Sequence, residues 1–320
     1  MAPATASSGC WTLSSLHRKG FWRRSQRNWS ATVPARLAEA VRAAIGSAPR
    51  RAVPLHGGCV AEVYRLQLED GREAVAKWSA EGGLAIEGWM LGELARLSRL
   101  PVPAVWFSDE CLLLLEPLPA EGSITPAVER HAADLLAGLH GVGGDRFGYA
   151  RDTVIGGLPQ PNPWNDSWRD FFRDHRLLYM AGEAQKAGRL PARTMVRVER
   201  LAGRLGEWID EPAPSLIHGD MWGGNVLVDG DRISGFVDPA IYFADAEIEL
   251  AFSTLFGTFG DAFFTRYAEH RPLRPGFWEG RRDLYNLYPL LVHVRLFGGG
   301  YVGSVERTLA KLGSRDHSRE

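Results

Sequence analysis

The chain has 320 residues, a formal net charge of −1, 45% hydrophobic residues and 23% charged ones. That length holds one large domain or two lobes with separate cores, and the balanced charge excludes a global basic field of the kind that binds nucleic acid or an anionic membrane surface. No apolar run approaches the roughly 18 residues of a membrane span, and Cys10, Cys59 and Cys111 are too few and too scattered for a disulfide framework or a zinc site, which points to a reducing, cytoplasmic setting.

The N-terminus carries Arg18, Lys19, Arg23, Arg24, Arg27 and Arg36 before its first acidic residue, Glu39. Such an acid-poor, Arg- and Ser-rich stretch reads as a disordered extension over 1–33, with an organelle transit segment as the alternative. Residues 34–47 (PARLAEAVRAAIGS) predict a short amphipathic helix stopped at Gly46. The glycine-rich Gly57-Gly58-Cys59 precedes an alternating strand at 63–68, a turn at Asp70-Gly71 and a returning strand at 74–78. A helix over 84–99 lines up Ile86, Met90, Leu94 and Leu97 on one face. Two more strands flank a turn at Ser108-Asp109-Glu110 and close at Pro117 and Pro119. These elements make an N-terminal lobe, 34–119, built on a small antiparallel sheet.

Over 120–320 helices dominate. Thr125-Pro126 is a cap plus a favoured first residue, and Leu135, Leu136 and Leu139 stripe the helix that it opens. WNDSWRDFFRDHRLLYMAGEAQKAG predicts a second helix with Trp168, Phe171, Phe172 and Leu178 on its apolar side, and RTMVRVERLAGRLGEWI a third. Short strands at 217–240 interrupt the helices, which resume to Leu312.

The chemistry concentrates in IHGDMWGGNVLVDGDRISGFVDPA, residues 217–240. A lone His-Gly-Asp is more often an acidic turn than a site. Here Asn225 lies five residues after Asp220, and Asp238 thirteen after Asn225. That is the spacing of phosphoryl transfer in protein kinases: a base on the catalytic loop, then an amide and a carboxylate that hold Mg²⁺ against nucleotide phosphates. Asp220 would take or orient the proton of the attacking hydroxyl, and Asn225 and Asp238 would be the metal ligands, hard oxygen donors suited to Mg²⁺. Upstream, Lys77 ends the apolar strand AVAKW, where a lysine contacts the α- and β-phosphates of ATP or simply snorkels from an edge. Glu87 is its candidate partner on the next helix, with Glu93 the competitor. Gly57 and Gly58 would cover the phosphates, and Glu116, after LLLL, stands where a hinge presents backbone groups to adenine.

Together with GGCVAEVYRL, LLLLEPLP, LAGLHG, PQPN, DSWRDFFRDHRL, LIHGDMWGGN and FVDPAIYFADAEIEL, these motifs resemble the fructosamine (ketosamine) kinases, relatives of the aminoglycoside and choline kinases. The resemblance implies an α+β, two-lobed protein-kinase-like fold. It also implies ATP- and Mg²⁺-dependent transfer of the γ-phosphate to the 3-hydroxyl of a sugar carried on an amine. The acceptors would be glycated proteins or small-molecule ketosamines, and the unstable product would free the amine, a protein repair. It favours Glu87 over Glu93, makes Gln160 and Asn162 of PQPN candidate substrate contacts, and leaves Trp222 as either a sugar platform or a core wedge. Cys59 matches a loop cysteine of the family, so a monomer or a redox-sensitive dimer is expected. Thr153, Gly157-Leu158, Met221 and Glu249 depart from the family pattern, the first three positions near the expected sugar site. Two other functions remain open on the residues: an aminoglycoside- or choline-type small-molecule kinase, and a nucleotide-binding pseudokinase.

Overall fold

The computed structural model describes residues 33–55 and 61–314; Gly57, Gly58, Cys59 and the basic N-terminal stretch up to residue 32 lie outside the described residues. Strands β1 (Pro49–Leu55), β2 (Glu62–Leu68), β3 (Glu73–Trp78), β4 (Val105–Ser108) and β5 (Leu112–Leu115) form one antiparallel sheet in the order β1-β2-β3-β5-β4. Both faces of this sheet are covered, which explains the uninterrupted LLLL of β5. Ala74 and Ala76 of β3, with Leu112 and Leu114, pack against Leu37 and Val41 of helix α1 (Ala35–Ile45). Val75, Leu113 and Leu115 point the other way, onto Leu84 and Leu91 of helix α2 (Leu84–Leu97). With a period of two, Lys77 falls on the α2 side. Strand β1 was not legible: PRRAVPL carries two prolines and two arginines. They are tolerated because β1 is an edge strand with an irregular register at Pro49/Arg51.

Helix α2 has a second apolar side. Met90 and Leu94 belong to the large core of the helical part, so the helix is shared between the sheet and that core. Helix α3 (Pro126–His140) begins at Thr125, whose hydroxyl accepts the Val128 N–H as a cap. A short hairpin, β6 (Thr153–Ile155) and β7 (Leu158–Gln160), precedes α4 (Trp168–Phe172). The predicted second helix is continuous but contains a π-helical turn over Arg173–Leu178 before α5 (Tyr179–Lys186). The extra residue in that turn rotates the chain, so Arg176 and Leu177 are buried where simple periodicity selects Leu178. Helix α6 (Ala192–Ala202) comes next, then the strand pairs β8 (Ser215–Ile217) with β11 (Tyr242–Ala244) and β9 (Val226–Asp229) with β10 (Arg232–Phe236). Helices α7 (Ala246–Leu255), α8 (Asp261–His270), α9 (Arg282–Phe297) and α10 (Gly300–Gly313) complete the chain, with α9 buried from Leu284 through Val292. No helix among the described residues is long and apolar enough to cross a membrane.

Candidate active site

Two small ladders explain why distant acids meet. Ile217 pairs with Tyr242 in one, and Val226 with Phe236 in the other. The chain leaves the first ladder at 217, forms the second as a hairpin, and returns at 242. Its two connections, 218–225 and 237–241, must therefore run side by side. The Ala240 N–H donates to His218 O (2.7 Å), and the Val237 N–H to Asn225 O (3.1 Å). His218 Nε2 is 3.1 Å from Val237 O, and burial holds this imidazole below its ordinary pKa, so it is a neutral strut between the loops.

Asp220 sits near the start of the first connection, and Asn225 at its end. Asn225 Nδ2 donates to both Asp220 O and Asp220 Oδ2, each at 2.9 Å, which fixes the carboxylate of a residue that lines the cleft. Burial pushes the Asp220 carboxyl up to about 7; the Asn225 bond works against this and the Asp238 and Glu249 charges add to it. Asp238 stands near the start of the second connection with φ 57°, the one positive φ at a non-glycine among the described residues. Such strain is concentrated at functional positions, and Asp is one of the few side chains that adopt it readily.

Lys77 closes the constellation from the sheet. Its ammonium pairs with Glu87 Oε1 (2.6 Å) and with Asp238 Oδ1. Burial works against the lysine's charge, but Asp238 and Glu87 together hold it above its ordinary value. Burial also pushes the Glu87 carboxyl upward, with Lys77 pulling it back and Asp238 raising it further. One ammonium thus faces two carboxylates in a site with an excess of negative charge, which a divalent cation would neutralise. Glu93 is engaged elsewhere, by Arg96 and by the Tyr149 hydroxyl (2.8 Å), so Glu87 is the lysine's partner.

These groups line one cavity between the sheet and the helical part. Its roof includes Leu55, Ala61 and Val63, its floor Asp220, Trp222, Asn225 and Asp238, and its far wall the face of α9 at Pro289, His293 and Phe297. The fructosamine kinase family model matches residues 33–315, a span that includes every described residue. The chain belongs to the fructosamine kinase family. Over 178 residues it is 44% identical to a Synechocystis protein named as a ketoamine kinase, a match covering 54% of this chain and 58% of that one. It is 30% identical over 260 residues to the chloroplastic protein-ribulosamine 3-kinase of Arabidopsis thaliana, covering 78% of each. The crystal structure of a Thermobifida fusca protein named as a fructosamine-3-kinase superposes with a TM-score of 0.77 at 30% identity, covering 87% of this chain and 98% of that one. The kinase-like α+β fold expected from the motifs is therefore the fold of this fructosamine kinase family member.

Other expected residues of the kinase fall less simply. Trp222 lines the cavity, its ring laid over Gly224, where a Cβ would come within 2.3 Å of it. Glu116 is not among the residues lining the cavity: its N–H donates to Ala104 O (2.9 Å) and its carboxylate accepts the Ala104 N–H (3.2 Å), sheet-edge bonds that occupy its backbone donor. Gln160 and Asn162, expected to touch substrate, are 0% and 1% exposed and absent from the cavity wall. Their amides are consumed inside the protein, so they tie down a loop. Of the departures from the family pattern, Thr153 is buried in the same network, whereas Gly157 reaches the cavity with Gly156 at the tip of the β6–β7 hairpin. Glu249 accepts the Gly219 N–H (2.6 Å) and meets His140 Nε2 (2.9 Å), so this longer acid anchors the loop just before Asp220.

Gly219 shows how tightly the two connections are pressed together. Its φ is +88°, and a Cβ there would lie 2.0 Å from Ala240 O. Gly219→Ala is expected to lower kcat about 100-fold, the effect of a displacement near 1 Å at a catalytic group. It should also lower Tm by several degrees, because the left-handed conformation alone costs about 1–2 kcal/mol for alanine. Steady-state kinetics and a thermal melt of the variant check both.

Proposed function

We propose that the protein is a ketosamine 3-kinase, transferring the γ-phosphate of ATP to the 3-hydroxyl of a sugar attached to a protein or small-molecule amine, with Asp220 as its base. The convergence of Lys77, Asp220, Asn225 and Asp238 on one cavity, in a chain of this family, carries the proposal. Lys77, held by Glu87, contacts the nucleotide phosphates from the 34–119 lobe, while the 120–320 lobe supplies the base and receives the sugar. Asn225 Oδ1 and Asp238 are the donors for Mg²⁺. Among the described residues no group of three or more His, Cys, Asp or Glu forms a cage of its own, and two protein donors suit an ion that keeps waters and phosphate oxygens. The ion supplies charge neutralisation at the transferred phosphoryl group.

Asp220 has the properties of a general base. Its Oδ2 is tethered, the residue lines the cavity, and a carboxyl pushed up to about 7 matches proton transfer at physiological pH. The acceptor sugar sits beyond Asp220, between Trp222, the Gly156-Gly157 tip and α9. Trp222→Ala is expected to raise the KM for a ketosamine about tenfold, the size of one lost aromatic contact, with the KM for ATP unchanged. The decisive test is a panel of ribulosamine, erythrulosamine and fructosamine acceptors with ATP and Mg²⁺, beside an aminoglycoside. Transfer to the sugar 3-hydroxyl of a ketosamine is the expected result; phosphorylation of the aminoglycoside alone would overturn it. Release of the amine from the product would complete the repair of glycated protein, in a cytoplasmic setting consistent with the sparse cysteines.

A further inference from the structure

The polar residues of the PQPN segment do something other than bind substrate. Thr153 Oγ1 accepts from Gln160 Nε2 and from Asn162 Nδ2, both at 2.8 Å, and donates to Ile241 O (3.4 Å). Gln160 Nε2 also donates to Ala240 O (3.1 Å), and its Oε1 accepts the Tyr288 hydroxyl (2.7 Å). Asn162 Oδ1 accepts from Arg176, a fully buried arginine brought there by the π-helical turn, at 2.5 Å. The Arg176 guanidinium lies 3.8 Å over the ring of Tyr242, the residue where the second connection re-enters its ladder. The hydroxyl and both amide side chains are thus fully used in a connected buried network.

The network has two outlets, one to the backbone just past Asp238 and one to the helix that carries Glu87. One is Ala240-Ile241, two and three residues past Asp238. The Ala240 carbonyl that Gln160 holds is the same atom pressed against Gly219, next to Asp220. The other outlet is Tyr149, whose N–H donates to Asn162 O (3.0 Å) and whose hydroxyl reaches Glu93 on α2 (2.8 Å). The Tyr149 ring also meets Trp89 of α2 edge-on at 5.5 Å, and the Arg151 guanidinium caps Trp89 at 4.8 Å. Helix α2 carries Glu87, the partner of Lys77. Tyr149 therefore fixes α2 to the helical part of the molecule, at the same node that fixes the Asp220 and Asp238 connections.

We propose that Thr153, Gln160, Asn162 and Arg176 form a positioning hub that sets the relative geometry of Glu87, Asp220 and Asp238, through Ala240 on one side and Tyr149 on the other. Gln160 and Asn162 are then positioning residues, acting on the nucleotide and on the reacting groups without touching the sugar. The hub rests on the roles proposed above for Lys77, Asp220 and Asp238.

The two outlets predict different kinetic signatures. Gln160→Leu releases Ala240 and should lower kcat about tenfold or more, the scale of one buried hydrogen bond, with the ketosamine KM within about twofold of wild type. Tyr149→Phe releases Glu93 and should raise the KM and Kd for ATP·Mg²⁺ by about three- to tenfold with kcat less affected. If Gln160→Leu does not fold, Tyr288→Phe, which removes only the bond to Gln160 Oε1, should lower kcat in the same direction. A rise in ketosamine KM alone would make Gln160 a substrate contact and overturn the hub. A fall in Tm with unaltered kcat, KM and Kd would make the network a structural brace and overturn it equally, as would variants indistinguishable from wild type. Lys77→Ala separates failure of the hub from failure of the site: if it keeps wild-type ATP·Mg²⁺ affinity, the nucleotide site itself is misassigned.

Discussion

Asp220→Asn is expected to abolish turnover, with kcat falling about 10²- to 10⁴-fold, the range attributed to a positioned general base. The substitution is nearly isosteric, and the local contacts allow it to isolate the proton-accepting role. Asn225 Nδ2 donates to Asp220 Oδ2 and to the Asp220 carbonyl, and both acceptors survive in an asparagine whose amide oxygen faces Asn225. The loop should hold its place, because Gly219 remains anchored to Glu249 and His218 to Val237. A neutral side chain also removes a carboxylate whose ionisation burial opposes, so Tm should stay level or rise. Affinity for ATP·Mg²⁺, measured by calorimetry, should remain within about threefold of wild type, because on the proposed roles the nucleotide would meet Lys77 and the metal donors instead. The pairing of lost turnover with retained binding also decides against a pseudokinase, in which wild-type protein would bind nucleotide and turn over nothing. Wild-type kcat in the variant would remove Asp220 from the mechanism.

How much of this was legible in the sequence depended on whether a contact is local in the chain. Asp220, Asn225 and Asp238 were visible because one hairpin places them, and hairpin spacing is written in the sequence. Lys77 was visible as the polar end of an apolar strand, and the family resemblance favoured Glu87 as its partner, although spacing alone left Glu93 open. Glu87 and Glu93 lie on one helix, and the choice between them turns on which carboxylate Tyr149 and Arg96 occupy, a contact across more than fifty residues. The burial of Gln160 and Asn162 was hidden for a related reason. Polar residues in a proline-rich loop look exposed, and nothing in their spacing announces Arg176 beneath them. Arg176 in turn is buried by a π-helical turn that has no residue signature, and that turn also moved the predicted apolar face from Leu178 to Leu177. Glu116 was placed correctly at the end of β5, but its backbone bond to Ala104 comes from strand pairing that sequence order leaves open. The signal available was indirect: an arginine in the middle of WRDFFRDHRLL needs a buried acceptor, and the nearest polar motif was PQPN.

The second large effect is expected at Asp238, where charge and backbone conformation can be separated. Asp238→Asn should lower kcat about 1,000-fold at saturating ATP, on the several kcal/mol that a divalent ion contributes to phosphoryl transfer. It should also shift half-saturation to higher Mg²⁺, because one of the two proposed protein donors loses its charge. Asparagine is the informative replacement. At φ 57° it is among the few residues that accept the left-handed region, whereas alanine would add about 1–2 kcal/mol of backbone strain to any loss of metal binding. The fold should tolerate the change. Lys77 keeps Glu87 at 2.6 Å, and the cluster goes from two carboxylates and one ammonium to a balanced pair. Glu87 loses the neighbouring charge that helps raise its carboxyl, so its pKa should fall toward the ordinary range and its pairing with Lys77 should tighten. A thermal melt without nucleotide should therefore move little, while a Mg²⁺ titration of turnover moves strongly. If kcat and its Mg²⁺ dependence stay at wild-type values, Asp238 is only the second anchor of Lys77. If the melt collapses with them, its backbone position rather than its charge is what the site requires.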